Sequence, residues 1–190
     1  MLSDPIAIIA AVVSVLEGLH IIYYIGGSFA SSLYGIPRSS QDVDIIADIR
    51  PEHVNSFVQN LQAEFYVDET MVRNAISHKT SFNIIHFVSS FKIDIFLAQD
   101  TSYSKKEISR RNLHVLRKEP LFEAYFASAE DIILEKLIWF KLSNEVMNTQ
   151  WKDVLGIMRV RKGSLDIDYL KHWSTVLDVS DLLEKAFIYV

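Results

Sequence analysis

Two aspartates, Asp42 and Asp44, stand one residue apart at the start of an apolar run that is typical of a β-strand. Side chains two positions apart on a strand point to the same face, so we expect both carboxylates to project together. Like charges this close are unfavourable unless a cation, a proton or a basic side chain lies with them. Because Mg²⁺ binds one or two carboxylates and completes its octahedron with water and phosphate oxygens, the pair predicts a site for Mg²⁺ or Mn²⁺.

A third carboxylate, Asp94, is the only acid in a second apolar run over residues 91–97, which also predicts a buried strand. If this strand lies beside the one that carries Asp42 and Asp44, Asp94 shares their metal. It is then also placed to accept a proton from an attacking hydroxyl group. The three aspartates therefore predict metal-assisted transfer to a hydroxyl.

A glycine turn precedes these aspartates in the chain. The apolar run of residues 21–25 stops at Gly26 and Gly27, and Ser28 is the predicted N-cap of a short helix that Gly35 ends. The free backbone N–H groups and the dipole at a helix start stabilise a phosphate, and glycines allow it to approach closely. The pattern predicts a phosphate-binding turn.

This order of motifs resembles the DNA polymerase beta-like nucleotidyltransferase superfamily. Within it, the chain is similar to small prokaryotic nucleotidyltransferases and to the nucleotidyltransferase toxins of abortive-infection toxin–antitoxin pairs. The resemblance implies an α+β fold with a mixed sheet flanked by helices and a C-terminal helical region. It also implies phosphate contacts from Gly26, Gly27 and Ser28, and three metal-binding, catalytic carboxylates, which are Asp42, Asp44 and Asp94.

The resemblance extends to three further residues. Arg38 stands in the family's Gly-x-x-Arg-x-Ser/Thr-x-Asp-x-Asp spacing, which implies a role in stabilising the loop or a phosphate. The toxin-like branch carries a lysine on one C-terminal helix and an aspartate on the next, and Lys136 and Asp153 occupy comparable places. Arg38 and Lys136 are therefore expected to contact the nucleotide.

The helical periodicity of residues 129–142 places Lys136 inside the apolar arc, near Ile132, Ile133 and Phe140. A buried ammonium without a partner is costly, so the side chain either extends to solvent or reaches an anion such as a triphosphate. Asp153 is open to a simpler interpretation, as an acid in a first helical turn that favours the helix dipole.

Composition fits one core of moderate size: 190 residues, 49% of them hydrophobic. We expect a nucleotidyltransferase-like core over residues 1–126 and a helical region over 127–190. The chain has no cysteine, which excludes disulfides and cysteine-type zinc sites, and its six histidines show no metal-ligand spacing.

The formal charge of −5 argues against a broad nucleic-acid surface, although basic stretches over residues 105–118 and 159–162 offer local ones. The apolar segment over residues 5–25 is interrupted by Glu17 and His20, so a helix and a strand explain it better than a membrane span. We expect a cytoplasmic protein with no membrane partner.

Residue patterns predict helices over residues 5–18, 51–63, 69–76 and from 128 onward, with Ser128 as a cap. They predict strands over residues 21–25, 43–47 and 65–67, a hairpin of 82–88 with 91–97 across Ser89-Ser90, and an edge strand over 115–126.

The expected function is transfer of a nucleoside monophosphate from a nucleoside triphosphate to an acceptor hydroxyl, with release of pyrophosphate. The acceptor stays open among a small molecule, an RNA and a protein, and an antitoxin-like protein is a candidate partner. A catalytically silent nucleotide-binding or toxin–antitoxin module of the same fold is the alternative. A serine hydrolase is a third hypothesis, because Gly26-x-Ser28-x-Ala30 is a partial nucleophile elbow.

Overall fold

The computed structural model describes residues 4–190, which form two compact units. The first contains the described residues up to Ile25 together with Ser40–Phe126, and the second contains Gly26–Ser39 together with Ala127–Val190. The chain therefore passes from one unit to the other after Ile25, after Ser39 and after Phe126. Of the helices that these residues form, none has the length and apolar character needed to cross a bilayer.

The first unit is built on a mixed seven-stranded sheet. Its strands, in chain order, are β1 (Tyr23–Ile25), β2 (Asp42–Ala47), β3 (Phe65–Tyr66), β4 (Ser81–His86), β5 (Lys92–Leu97), β6 (Asn112–Lys118) and β7 (Leu121–Phe126). Their order across the sheet is β3-β4-β5-β2-β1-β7-β6. β5 is parallel to β2 and β7 is parallel to β1, whereas the other neighbours are antiparallel. The α+β fold with a mixed sheet is confirmed.

The central strands β2 and β5 alternate between buried and half-buried residues along their whole length. Val43 and Ile45 of β2 pair in register with Ile93 and Ile95 of β5, and all four are fully buried. Because neighbouring strands share their faces, these branched side chains form one apolar face of the sheet. The residues between them, which include the three aspartates, lie on the opposite face.

Four α-helices accompany the sheet in this unit: α1 (Pro5–Gly18), α3 (Val54–Leu61), α4 (Glu69–His78) and α5 (Ser102–Arg110), with a 3-10 helix at Pro51–His53 before α3. Asp4 caps α1 by accepting from the Ile6 N–H, directly before a proline at the first helical position. Phe57 of α3 packs edge-on against Phe82 of β4, with ring centroids 6.0 Å apart. Helix α3 therefore packs on the apolar face of the sheet.

The second unit is entirely helical within the described residues. It contains α2 (Gly27–Tyr34), α6 (Ala129–Leu142), α7 (Asn148–Val160), α8 (Ile167–Val176) and α9 (Ser180–Ile188). α2 packs against α6 and α7. A Cβ on Gly35 would lie 2.9 Å from the backbone nitrogen of Ile157, so only glycine allows α7 to approach this closely. The Tyr34 hydroxyl donates to the Ala127 carbonyl at 2.8 Å and fixes the same end of α2.

Buried acids join helices within this unit. Asp131, fully buried in the first turn of α6, accepts from the hydroxyls of Ser128 and Tyr169, each at 2.6 Å. Glu130 accepts from the Asp166 N–H at 2.9 Å, at the start of α8. Two neighbouring carboxylates therefore attach α8 to α6 through charge-assisted hydrogen bonds.

Two expectations about local structure need correction, and one helix was not predicted. The N-cap of α2 is Gly26, so Ser28 lies inside the first turn instead of capping it. Residues 112–126 form two antiparallel strands that turn at Glu119-Pro120, not one edge strand. The basic stretch of residues 105–118 begins inside helix α5. Thr101 caps this helix by accepting from the Ser104 N–H.

Candidate active site

The three aspartates form what we call the acidic face of the sheet. Asp44 of β2 and Asp94 of β5 are direct partners in the parallel register, so their backbones are about 4.8 Å apart. Asp42 lies two residues before Asp44 on the same face, and the Ser40 hydroxyl donates to its Oδ1 at 2.9 Å. All three side chains are half-buried, and on β4 the residue paired with Asp94 is Asn83.

Lys92 brings a positive charge to this face. It is the register partner of Asp42 and stands two residues before Asp94 on β5. Its Nζ lies 2.8 Å from Asp94 Oδ2 and 3.9 Å from Asp42 Oδ2. The hydrogen bond to Asp94, together with the charges of the three aspartates, raises the pKa of Lys92 above its ordinary value. The ammonium is therefore held in its charged form beside the carboxylates.

The acidic face fits a divalent cation in donor type and in backbone placement. Mg²⁺ and Mn²⁺ prefer carboxylate oxygens, and three carboxylates start from neighbouring positions on one face. Their side chains, however, are arranged around Lys92. Among residues 4–190, no group of three or more histidine, aspartate or glutamate side chains is arranged to hold a metal ion.

In the second unit, the glycine turn becomes the start of α2. Gly27 has a φ of +57°, in the left-handed region that favours glycine. The Ser31 hydroxyl donates back to the Gly27 carbonyl at 2.9 Å, and the Ala30 N–H bonds to the Gly26 carbonyl. Ser28 follows in the first turn, and its hydroxyl accepts a hydrogen bond from Arg38 Nη2.

Arg38, Lys136 and Asp153 form what we call the buried ion cluster. Arg38 binds Asp153 through two parallel hydrogen bonds, Nε to Oδ1 and Nη2 to Oδ2, both 3.1 Å long. Lys136 Nζ lies 3.3 Å from Asp153 Oδ2. The side chains of Lys136 and Asp153 are each 6% exposed, whereas that of Arg38 is 33% exposed. One carboxylate thus holds two cations, and the cluster carries an excess of positive charge.

The structure brings the predicted site residues together in two sets. Asp42, Asp44 and Asp94 share one sheet face in the first unit, while Ser28, Arg38 and Lys136 are linked in the second. The sequence left Lys136 open between extension to solvent and contact with an anion; in the structure its side chain is buried and the anion beside it is Asp153. Asp153 is not in a first turn, because α7 begins at Asn148.

Sequence reasoning missed Lys92 as a partner of the aspartates. The signal was available, because a lysine two residues before Asp94 on the same strand must share its face. The hydroxyl of Ser28 meets a guanidinium, which donates and cannot accept a proton, so this contact does not activate the serine as a hydrolase nucleophile.

No protein-family model and no curated protein sequence matches this chain significantly. Among solved structures, it is similar to an antigenic nucleotidyltransferase-like protein from Paracoccidioides brasiliensis, with 15% identity and a TM-score of 0.55 over 98% of this chain and 93% of that chain. It is also similar to the lincosamide antibiotic adenylyltransferase LnuA, solved with lincomycin bound, with 12% identity and a TM-score of 0.52 over 84% of this chain and 98% of that chain.

A third similar structure is ANT(2")-Ia in complex with adenylyl-2"-tobramycin, with 14% identity and a TM-score of 0.56 over 91% of this chain and 96% of that chain. At these identities the likeness concerns the fold. The chain has an α+β fold similar to that of these nucleotidyltransferase structures. The resemblance to toxin–antitoxin nucleotidyltransferases stays a prediction.

Proposed function

We propose that this protein is a metal-dependent nucleotidyltransferase, which moves a nucleoside monophosphate from a nucleoside triphosphate to an acceptor hydroxyl and releases pyrophosphate. The observation that carries the proposal is the register pairing of Asp44 with Asp94, with Asp42 on the same face. The fold supports it, because the chain is similar over most of its length to nucleotidyltransferase structures.

In this proposal the acidic face performs the chemistry. Asp42, Asp44 and Asp94 would hold Mg²⁺ or Mn²⁺, which supplies charge stabilisation at the reacting phosphate. The acceptor oxygen forms a bond to the α-phosphorus while the bond between that phosphorus and the bridging oxygen of pyrophosphate breaks. The proton of the acceptor hydroxyl passes to the Asp94 carboxylate. Pyrophosphate leaves with the electron pair of the broken bond.

The second unit is assigned the binding of phosphates. Gly26 and Gly27 lie at the N-terminus of α2, where the first backbone N–H groups have no partner within the helix and the helix dipole favours an anion. Arg38 is one-third exposed although both its bonds to Asp153 are formed, so it retains donors for a phosphate oxygen. Lys136 acts at longer range, by adding positive charge to the cluster.

The acceptor class is suggested by the similar structures. LnuA is an adenylyltransferase solved with lincomycin, and ANT(2")-Ia is solved with adenylyl-2"-tobramycin. By this analogy, we propose adenylyl transfer to the hydroxyl of a small molecule as the first activity to test. The hydroxyls of RNA and protein remain the alternative acceptors. The proposal also includes an antitoxin-like protein partner and a cytoplasmic location, both of which were expected from the sequence.

The test is transfer of label from each α-labelled nucleoside triphosphate, with Mg²⁺ or Mn²⁺, to aminoglycosides, lincosamides, RNA and cell extract. Pyrophosphate release is followed in parallel. We expect one triphosphate to label one acceptor class. Asp44→Asn and Asp94→Asn are expected to reduce transfer at least about 100-fold, since each removes a ligand or base that acts in the transition state.

The matched control is Asp48→Asn. Asp48 directly follows β2 and is paired with Arg50 at 2.7 Å, so the variant removes an acid near the same strand without touching the acidic face. It should retain transfer. Full transfer by Asp44→Asn would contradict the proposed chemistry.

A catalytically silent nucleotide-binding module is the second candidate. It is favoured by the ion pairs of Lys92, because an ammonium that already offsets part of the charge of the acidic face reduces the need for a metal. Calorimetry with each nucleotide, with and without Mg²⁺, separates the two functions. A silent module binds nucleotide with the same affinity in both conditions and releases no pyrophosphate.

A further inference from the structure

Lys92 lies where a cation for the acidic face would be expected. Its Nζ contacts carboxylate oxygens from two different strands, Asp94 Oδ2 at 2.8 Å and Asp42 Oδ2 at 3.9 Å. Both contacts follow from backbone register, since Lys92 pairs with Asp42 across the sheet and precedes Asp94 by two residues. The ammonium therefore bridges the strands β2 and β5 through the same oxygens that are proposed to bind metal.

The environment of Lys92 allows its head group to leave. Its side chain is 40% exposed, in contrast to the 6% of Lys136, and it is attached through a flexible four-carbon stem. A partly exposed ion pair of this kind contributes only modestly to stability, so a divalent cation on the same carboxylates can compensate for its loss. The face can therefore exchange one positive group for another.

We propose that Lys92 is an internal counterion of the acidic face, which a divalent cation must displace from Asp94 and Asp42 in order to bind. This inference rests on the proposed function. In the absence of metal, the ammonium keeps the carboxylates together and reduces their mutual repulsion. When metal binds, the ammonium withdraws, and its positive charge lowers metal affinity through competition for the same oxygens.

The experiment is titration of the full chain with Mn²⁺ in the absence of nucleotide, with free Mn²⁺ measured by electron paramagnetic resonance. Lys92→Met keeps the length of the stem and removes the charge. We expect its Kd for Mn²⁺ to fall about tenfold relative to wild type at low salt, because one positive charge near a divalent cation is removed. The difference should shrink in about 1 M salt, where such charges are screened.

Two control variants test whether the effect belongs to this lysine. Lys92→Arg keeps the charge and should bind Mn²⁺ within about twofold of wild type. Lys105→Met removes the same charge from an exposed pair with Asp100 in the same unit, and should also stay within about twofold. An equal fall in Kd for Lys105→Met would overturn the inference, because it would reflect net charge alone.

Melting temperature gives a second readout, which does not depend on the spectroscopic signal. Lys92→Met should melt lower than wild type without metal and gain more stability from saturating Mn²⁺. Lys92→Gln is used instead of Lys92→Met if the methionine variant is insoluble.

Unchanged or weaker Mn²⁺ binding in Lys92→Met would overturn the inference while leaving metal binding, and the proposed function, in place. Failure of wild type and all variants to bind Mn²⁺ would overturn the proposed function as well.

Discussion

The acidic face and the buried ion cluster carry opposite imbalances of charge. On the acidic face, carboxylates outnumber the ammonium that the face itself supplies, and the side chains are partly open to solvent. In the buried ion cluster, two cations share one carboxylate, and the lysine and the aspartate are almost inaccessible. An excess charge that solvent can reach reduces the free energy of unfolding little, and it can bind an oppositely charged ligand. A buried excess charge must instead be stabilised by hydrogen bonds within the protein.

This contrast predicts that equivalent substitutions act differently in the two units. Removal of an acid from the acidic face should affect activity and hardly affect stability. Removal of the acid from the buried ion cluster should affect stability first. The following substitutions test the contrast in order of expected effect.

Asp153→Ala should have the largest effect on stability. It leaves the buried ammonium of Lys136 without its counterion and removes both bonds to Arg38. Breaking a buried ion pair costs about 3–5 kcal/mol, and the partial exposure of Arg38 favours the lower end. Urea unfolding measures the loss. Asp178→Asn removes the charge from an exposed pair with Lys141 in the same unit and keeps a residue type that tolerates the φ of +58° at this position. It should show no measurable change, and equal losses would contradict the assignment.

Gly35→Ala should follow, with a loss of about 2 kcal/mol in the free energy of unfolding. The new Cβ would lie 2.9 Å from the Ile157 backbone nitrogen and 3.0 Å from its Cγ1, so α7 must shift away from α2. In the first unit, a Cβ on Gly18 meets nothing within 4 Å. Gly18→Ala should therefore keep or slightly raise stability, as expected in a helix. Similar losses in both variants would show that α2 is not packed as described.

Tyr169→Phe should cost about 1.5 kcal/mol, because it removes a 2.6 Å hydrogen bond to the fully buried Asp131. The matched variant in the first unit is Tyr23→Phe. Burial and the bond to Glu17 raise the pKa of Tyr23, so it donates as a neutral phenol. Glu17 is exposed, and water replaces the lost donor, so the cost should be smaller. Chemical denaturation of both variants checks the order.

Asp44→Asn should have the smallest effect on stability, below about 1 kcal/mol and toward greater stability, since it relieves repulsion on a half-buried face. Thermal unfolding without metal measures this effect. A large loss of stability would mean that Asp44 is a structural residue, and the contrast between the units would fail.

Local patterns predicted much of the fold. The alternation in β2 and β5, the helix bounds of α1 and the cap at Ser128 all depend on near neighbours in the chain, which sequence displays directly. The hairpin of β6 and β7 was missed because Glu119-Pro120 does not carry the glycine that marks common hairpin turns. Helix α5 was missed because its residues are mostly polar, so no apolar run marked it as a helix. Its N-cap, Thr101, was therefore not recognised either.

The candidate site was predictable in residue type and only partly in arrangement. The identity of the aspartates and the position of Lys136 within the apolar arc of α6 follow from spacing and periodicity. The pairing of Asp44 with Asp94 and of Lys136 with Asp153 depends on contacts between distant segments, which no local pattern specifies. The partner of a buried charge is therefore the part of a site that sequence alone defines least.

The discontinuous second unit has a consequence for biosynthesis. α2 and Arg38 leave the ribosome before nearly all of the sheet, whereas Asp153 and α7 follow only after it. Since chains are synthesised from the N-terminus at a limited rate, α2 is present during most of translation without α6 and α7, against which it packs in the complete chain. Arrested chains that end before α7 should expose this segment to chaperones and proteases, and completion of α7 should protect it.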